Sequence, residues 1–243
     1  MSSPSSSTRP VLANGDRLTR DEFERRYEAM PHVKKAELIE GTVYMPSPVH
    51  ASTHGEPHAH IMTWLGVYAA STPGISVADN ATVRLDLDNE TQPDALLRID
   101  EDCGGQSRIS DDDYVEGPPE LIVEVAHSSA GSRPSRMATT ECSPERAAYD
   151  LHDKKQAYRR NGVQEYVVWQ IEDERVDWFI LENGKYLSLS PNEEGLLASR
   201  IFAGLVLNVE SLLSADLSAV LSGVQSQTGS DAHQAFVERL GNR

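Results

Sequence analysis

Three separated segments contain the side chains needed to hydrolyse a phosphodiester bond with the help of a metal ion. They are Gln92-Pro93-Asp94 at the head of an apolar segment, Glu124 within the apolar run Leu121-Ile-Val-Glu-Val125, and Asp150-x-x-x-Lys154-x-x-x-Tyr158. Carboxylates on neighbouring strands can share one Mg²⁺, which takes oxygen ligands and keeps several waters. A lysine beside them can orient or help deprotonate a metal-bound water. The pattern therefore predicts a metal-dependent phosphodiesterase site.

Glu124 is the most informative of these residues because it is the one charge in an apolar strand. A buried carboxylate is costly unless it is paired or binds a metal. Two explanations stay open: a metal ligand, or a structural ion pair. Lys154 is either the site lysine or a surface residue, with Lys155 as its substitute, and Glu37 is either a further ligand or an exposed hairpin residue.

The elements that position these residues alternate between helix and strand. Their bounds follow from hydrophobic periodicity and from three local signals: a capping box at Thr19 and Glu22, the turn Glu40-Gly41, and Pro57. Helices are predicted over about residues 19–30, 57–71, 145–161, 205–221 and 232–240, a hairpin over 35–45, and strands over 75–78, 82–87, 94–99, 121–125, 163–169, 176–181 and 186–189.

This order predicts an α/β (α+β) fold with a mixed β-sheet flanked by helices. The run 121–125 is expected to be a central strand covered on both faces. Acidic loops are expected at 86–90 and 110–116. The predicted organisation is a disordered N-terminal segment over 1–18, one domain over 19–215 containing a long loop at 128–146, and a C-terminal helical tail over 216–243.

Five short motifs in order resemble the Uma-two family of restriction-endonuclease-like proteins over about residues 19–215. The motifs are Glu37-Leu-Ile-Glu-Gly41, Gln92-Pro-Asp94, Pro119-Glu-Leu-Ile-Val-Glu-Val125, Asp150-x-x-x-Lys154-x-x-x-Tyr158 and Gly162-Val-Gln-Glu-Tyr166. The resemblance implies the PD-(D/E)xK nuclease core, a restriction-endonuclease-like mixed sheet with Mg²⁺ or Mn²⁺ at the site. A homodimer is implied by analogy with enzymes that cut both strands of a duplex.

The resemblance also implies roles for individual residues. Asp94 and Glu124 would be metal ligands and catalytic residues, the backbone carbonyl of Val125 would add a ligand, and Glu37 would complete the acidic cluster. Ala126 stands where the usual motif has its lysine, so the catalytic lysine would come from the neighbouring helix, as Lys154. Three residues are expected to support the site: Gln92, Lys155 and Tyr158.

The charge of the chain limits how it can bind nucleic acid. The formal net charge is −16 at pH 7 with the eight histidines neutral. Proteins that coat nucleic acid bind chiefly by neutralising phosphates with Lys and Arg, so that class is excluded. A locally basic segment at 131–160 carries seven Lys and Arg against four Asp and Glu. It is equally well a phosphate-facing surface or a solvated helix face.

Cysteine content and hydropathy indicate the compartment. Two cysteines, Cys103 and Cys142, are too few for a disulfide framework or a cysteine-built zinc site. The N-terminal segment lacks an apolar core, and no run approaches the roughly 18 apolar residues of a membrane span. We therefore expect a cytoplasmic protein with no membrane partner.

A zinc site at His54 and His58 is disfavoured, because Pro57 begins the helix between them and leaves His54 outside its regular turns. The sequence thus favours a divalent-metal-dependent endonuclease that acts on DNA. Two alternatives stay open: a non-catalytic descendant of the nuclease fold that binds a metal or a protein, and a nuclease acting on RNA or nucleotides.

Overall fold

The computed structural model describes residues 11–45, 54–126 and 144–242, with the side chains of its third helix described from residue 152 onward. The helices are α1 (Arg20–Glu28), α2 (Glu56–Ala70), α3 (Pro144–Asn161), α4 (Val209–Leu213), α5 (Leu217–Gln227) and α6 (Asp231–Gly241). The strands are β1 (Glu37–Ile39), β2 (Thr42–Tyr44), β3 (Ile75–Asp79), β4 (Val83–Arg84), β5 (Glu90–Thr91), β6 (Ala95–Ile99), β7 (Arg108–Ile109), β8 (Val115–Glu116), β9 (Leu121–Ala126), β10 (Glu165–Gln170), β11 (Arg175–Glu182), β12 (Lys185–Ser188), β13 (Leu196–Ala198) and β14 (Val206–Asn208).

The main sheet has the strand order β12-β11-β10-β9-β6-β3. β9 and β10 are parallel and the other neighbours are antiparallel, so the sheet is mixed. β9 lies between β10 and β6, and its first five residues are buried. The predicted fold class and the predicted central strand are confirmed.

The two faces of β9 pack against different helices, as the alternation of side chains along a strand requires. Leu121, Val123 and Val125 join an apolar core with α2, α5 and α6, in which Trp64 and Trp178 meet edge to face. Ile122 lies on the opposite face, in a core that α3 and the strands β4 and β8 complete. Glu124 is two residues after Ile122 in the strand, so the two side chains lie on the same face of the sheet.

A second sheet, with the order β2-β1-β5-β4-β8-β7, carries the predicted hairpin at one edge. Its turn residues Glu40 and Gly41 have φ angles of 52° and 71°, as a two-residue hairpin turn with two positive φ values requires. The strands β5, β7 and β8 fall in or beside segments predicted to be acidic loops. The sequence prediction is wrong there because strands of two residues show no hydrophobic period.

Two N-terminal predictions are corrected. The capping box is wrong: the Thr19 side chain makes no cap hydrogen bond, and Glu22 instead pairs with Arg25 and Arg26, one turn along the helix. Disorder does not extend to residue 18, because residues 11–18 run along the hairpin, with Leu12 buried and backbone hydrogen bonds to β2 and the turn. Residues 1–10 lie outside the described part.

The C-terminal region also differs from the single helix predicted over 205–221. It begins as the strand β14, paired with β13, and then forms α4 and α5. Asn208 and Asp216 cap these helices by accepting from the amides of Ser211 and Ala219. Buried side chains of α5 and α6 join the core under the main sheet, so removal of residues 216–243 would expose that core.

Most of the predicted long loop at 128–146 lies outside the described residues. In the described part of the chain, no helix has the length and apolar character needed to span a bilayer.

Candidate active site

The two predicted metal ligands lie side by side at the main sheet: Asp94 comes immediately before β6, and Glu124 is in the neighbouring strand β9. β6 and β9 are antiparallel, and their pairing ends with Ala95 opposite Val123. The register therefore makes Asp94 and Glu124 the next opposing pair. Side chains of directly opposed residues on antiparallel strands share a face and have Cβ atoms about 5 Å apart. Both carboxylates are buried, with 4 % of Asp94 and 5 % of Glu124 exposed.

Asp94 is held by its neighbour strand and by two basic groups. Its Oδ2 accepts a hydrogen bond of 2.8 Å from the amide of Val125. Its Oδ1 lies 3.4 Å from His54 Nε2 and 3.6 Å from Lys35 Nζ. Burial opposes ionisation of Asp94, but the hydrogen bond from His54 and the charge of Lys35 outweigh it and hold its pKa well below its usual range. Asp94 is therefore a fixed, ionised carboxylate.

Glu124 is in a different electrostatic environment. Its Oε1 accepts hydrogen bonds from Lys154 Nζ at 3.1 Å and from the Tyr158 hydroxyl at 2.9 Å. Burial raises the pKa of Glu124 to about 7, and the charge of Lys154 opposes this shift. The negative charges of Asp94 and Glu37 add to it. Glu124 is therefore protonated more readily than an exposed glutamate, chiefly because it is buried.

Glu37 completes this cluster from the hairpin. Its Oε2 lies 2.9 Å from Lys154 Nζ, and its Oε1 accepts a hydrogen bond of 2.7 Å from the backbone amide of Gln92. Glu37 is 2 % exposed and Lys154 is 4 % exposed. Glu37 is therefore a buried partner of the lysine, and Gln92 supports the site through its backbone, while its side chain contacts Thr82 at 3.3 Å.

Helix α3 places Lys154 and Tyr158 over Glu124 because residues four apart share one face of a helix. The adjacent Lys155 points elsewhere: its ammonium lies 3.2 Å from the centroid of the Phe179 ring. It is therefore not positioned as a substitute for Lys154. The side chain of Asp150, at the start of the same motif, lies outside the described residues.

Two basic residues of the site were not predicted in these positions: Lys35 was missed, and His54 was considered only as a zinc ligand. Lys35 precedes Glu37 by two residues in the predicted hairpin, and this period of two places both side chains on one face. That spacing was the available signal. His54 has its pKa raised by the hydrogen bond to Asp94, while burial opposes the shift. His58 contacts the backbone carbonyl of Asp94 at 2.8 Å.

The described part of the basic segment is engaged with the protein itself. Arg159 donates to the carbonyl of Gly184 at 2.8 Å, and Arg160 pairs with Glu40 at 2.8 Å. The side chains of Arg133, Arg136 and Arg146 lie outside the described residues. The predicted phosphate-facing surface over 131–160 stays a prediction.

The donor set limits which cation the site could hold. Across residues 11–45, 54–126 and 144–242, no three or more His, Cys, Asp or Glu side chains converge in a metal-binding arrangement. A cation at Asp94 and Glu124 would thus have two carboxylates from side chains. Mg²⁺ is commonly bound by one or two carboxylates, with water and substrate oxygens completing its shell. Asp94 and Glu124 fit such an ion, whereas the four Cys and His ligands usual for a structural zinc site do not come together among the described residues.

Comparison with known proteins agrees with this fold. A crystal structure described as "a putative nuclease belonging to DUF820 from Anabaena variabilis ATCC 29413" has 16 % sequence identity and a TM-score of 0.57, and the match covers 81 % of this chain and 98 % of that chain. At this identity the likeness establishes the fold alone. No curated protein matches the chain. The family Uma2, described as "Putative restriction endonuclease", matches residues 20–137 and 142–210, which is more than half of the sequence, and the chain belongs to this family.

Proposed function

We propose that this protein is a divalent-metal-dependent endonuclease that hydrolyses phosphodiester bonds in DNA. One observation carries the proposal: a buried glutamate in a central strand lies opposite a second buried carboxylate at the start of the next strand, with a buried lysine beside the glutamate. The family description and the fold of the Anabaena protein support nuclease chemistry.

Asp94 and Glu124 would hold the metal ion, with the backbone carbonyl of Val125 as a further ligand. When bound, Mg²⁺ or Mn²⁺ supplies Lewis-acid polarisation of the phosphate and neutralises charge that develops during hydrolysis. The chain's own part is to fix the two carboxylates before the ion arrives. The amide of Val125 orients Asp94, and the hydroxyl of Tyr158 orients Glu124.

Lys154 would act as the catalytic lysine. Glu37 holds its ammonium at 2.9 Å on one side, and Glu124 holds it at 3.1 Å on the other. This keeps a proton donor beside both carboxylates, where it can donate a hydrogen bond to the attacking water. The amide of Gln92 fixes Glu37 in turn.

A specific contact also favours an alternative, a non-catalytic module that retains the fold. The pairing of Lys154 with Glu37 and Glu124 accounts for the buried glutamate without a metal ion. Metal binding separates the two functions, because a purely structural ion pair predicts none.

Nicking of supercoiled plasmid in Mg²⁺ or Mn²⁺ tests the proposal. We expect cleavage by the parent that EDTA abolishes and that falls to background in Asp94→Asn. Asp102→Asn is the matched control, because this exposed aspartate follows the opposite end of β6 from Asp94, and it should retain parental activity. Single-stranded DNA, duplex DNA and RNA are compared in the same buffer. Cleavage of RNA alone would replace DNA as the substrate, and undiminished cleavage by Asp94→Asn would refute the assigned site.

A further inference from the structure

The site contains two lysines that are held in very different ways. Lys154 is 4 % exposed and lies within 2.9 and 3.1 Å of two carboxylates. The side chain of Lys35 is 25 % exposed, and its Nζ lies 3.6 Å from Asp94 Oδ1. The other described contact of Lys35 Nζ is the amide oxygen of Asn80, at 3.2 Å. Lys154 is locked inside the protein, and Lys35 lies at the rim of the site.

The contacts of Lys35 are ones that an ammonium can exchange at low cost. The lysine end of the ion pair with Asp94 is partly exposed to solvent, and the partner in the second contact is a neutral amide, so water can replace either contact as the ammonium turns. Asp94 also keeps His54 and the amide of Val125 as partners if Lys35 turns away. Movement of this ammonium would therefore leave no buried carboxylate without a partner.

The net charge of the site indicates which ligand the Lys35 ammonium would bind. At an alkaline pH, where His54 is neutral and Glu37, Asp94 and Glu124 are ionised, three carboxylates face the two lysines and leave one negative charge. A divalent cation reverses the sign of the site, and one phosphodiester group then neutralises it. Without Lys35 the site with its cation would be neutral and would not attract a phosphate electrostatically.

We propose that Lys35 is a substrate-binding residue, whose ammonium leaves Asp94 to bind a phosphodiester oxygen of the nucleic-acid strand at the site. The assignment rests on the proposed nuclease function. It gives an otherwise acidic protein a cation at the rim of the site, and it assigns to Lys35 a role distinct from that of the buried Lys154.

The test measures binding rather than cleavage. The affinity for a labelled duplex is followed by fluorescence anisotropy in Ca²⁺ at several salt concentrations. Each phosphate contact adds about 0.9 to the slope of log K against log salt for duplex DNA. Lys35→Gln should therefore reduce the slope by about 0.9 and weaken binding about tenfold. Lys35→Arg should keep the slope, because it keeps the charge.

Lys34→Gln is the matched control, since it removes the same charge from the adjacent, exposed position, and it should keep the parental slope. The effect of Lys35→Gln on Mn²⁺ affinity, measured by calorimetric titration without DNA, should be opposite to its effect on DNA affinity. Removal of a positive charge beside Asp94 should tighten Mn²⁺ binding about fivefold. The assignment of Lys35 would be overturned if Lys35→Gln kept the parental salt slope, or if Lys34→Gln lost as much slope as Lys35→Gln. In either case, cleavage by the parent would leave the nuclease proposal standing. A parent that binds neither duplex DNA, single-stranded DNA nor RNA would overturn both.

Discussion

Replacement of Lys154 by methionine is a direct test of the buried ion-pair network. The substitution keeps much of the apolar stem and removes the ammonium that lies 2.9 Å from Glu37 and 3.1 Å from Glu124. Because both carboxylates are at least 95 % buried, the variant leaves two negative charges that water can hardly reach. Loss of one partner from a buried ion pair costs about 3–5 kcal/mol.

The cost should depend on pH, because Glu124 can take up a proton. Its pKa is already raised to about 7 by burial with Lys154 in place, and loss of the ammonium raises it further. A folded-state pKa above that of the unfolded chain means that the folded state binds more protons, so stability falls as the pH rises towards the folded-state value. We expect Lys154→Met to lose about 3 kcal/mol at about pH 8 and about 1.5 kcal/mol at about pH 5.5.

Urea unfolding followed by tryptophan fluorescence and circular dichroism measures this loss, and coincident transitions would support two-state analysis. Lys185→Met is the control, because this lysine is exposed on β12, and it should change stability by less than about 0.5 kcal/mol. The double variant Lys154→Met with Glu124→Gln should recover more than half of the loss at about pH 8. A loss no larger than that of the control, or one that grows at acid pH, would refute the network. The loss is expected for a nuclease and for a non-catalytic module alike, so it does not decide between them.

Two further changes test separate parts of the fold. Burial raises the pKa of Glu90 from 4.5 to about 8, and the neighbouring Glu24 adds to this shift. The stability that protonated Glu90 contributes is therefore complete below about pH 4.5 and is lost as the pH rises through about 8. Glu90→Gln should flatten the pH dependence of the free energy of unfolding over this range, and an unchanged dependence in urea titrations would contradict the assignment. Gly204 has a φ of +90°, and a Cβ there would lie 3.1 Å from a backbone oxygen and 3.2 Å from the ring of His233. Gly204→Ala should lose about 1–3 kcal/mol in thermal unfolding, whereas Gly229→Ala, whose Cβ would meet nothing within 4 Å, should stay near the parent; equal melting temperatures for the two variants would contradict this.

The strands of the main sheet and the candidate Glu124 could be predicted because their signals are local. An apolar run with a single charge indicates a buried strand and an unusual carboxylate wherever the rest of the chain lies. The repeat of four residues between Lys154 and Tyr158 likewise places both side chains on one helix face. The structure confirms the fold class and brings these side chains together with Asp94 and Glu37.

The parts that could not be predicted depend on contacts between distant segments. The second sheet is built from strands as short as two residues, and single residue pairs such as Leu38 with Glu90 join its strands. No local pattern shows that pairing. The sequence also does not show that Lys154 is shared between two carboxylates from different sheets. That contact leaves a structural explanation of Glu124 beside the catalytic one.

Calorimetric titration of Mn²⁺ into the parent and Asp94→Asn, with plasmid nicking followed in the same buffer, tests the central claim most directly. We predict Mn²⁺ binding and nicking by the parent, with both lost in a variant that melts as a folded protein. Parental protein that neither binds Mn²⁺ nor nicks DNA would contradict the account, and would leave the buried carboxylates with a structural role.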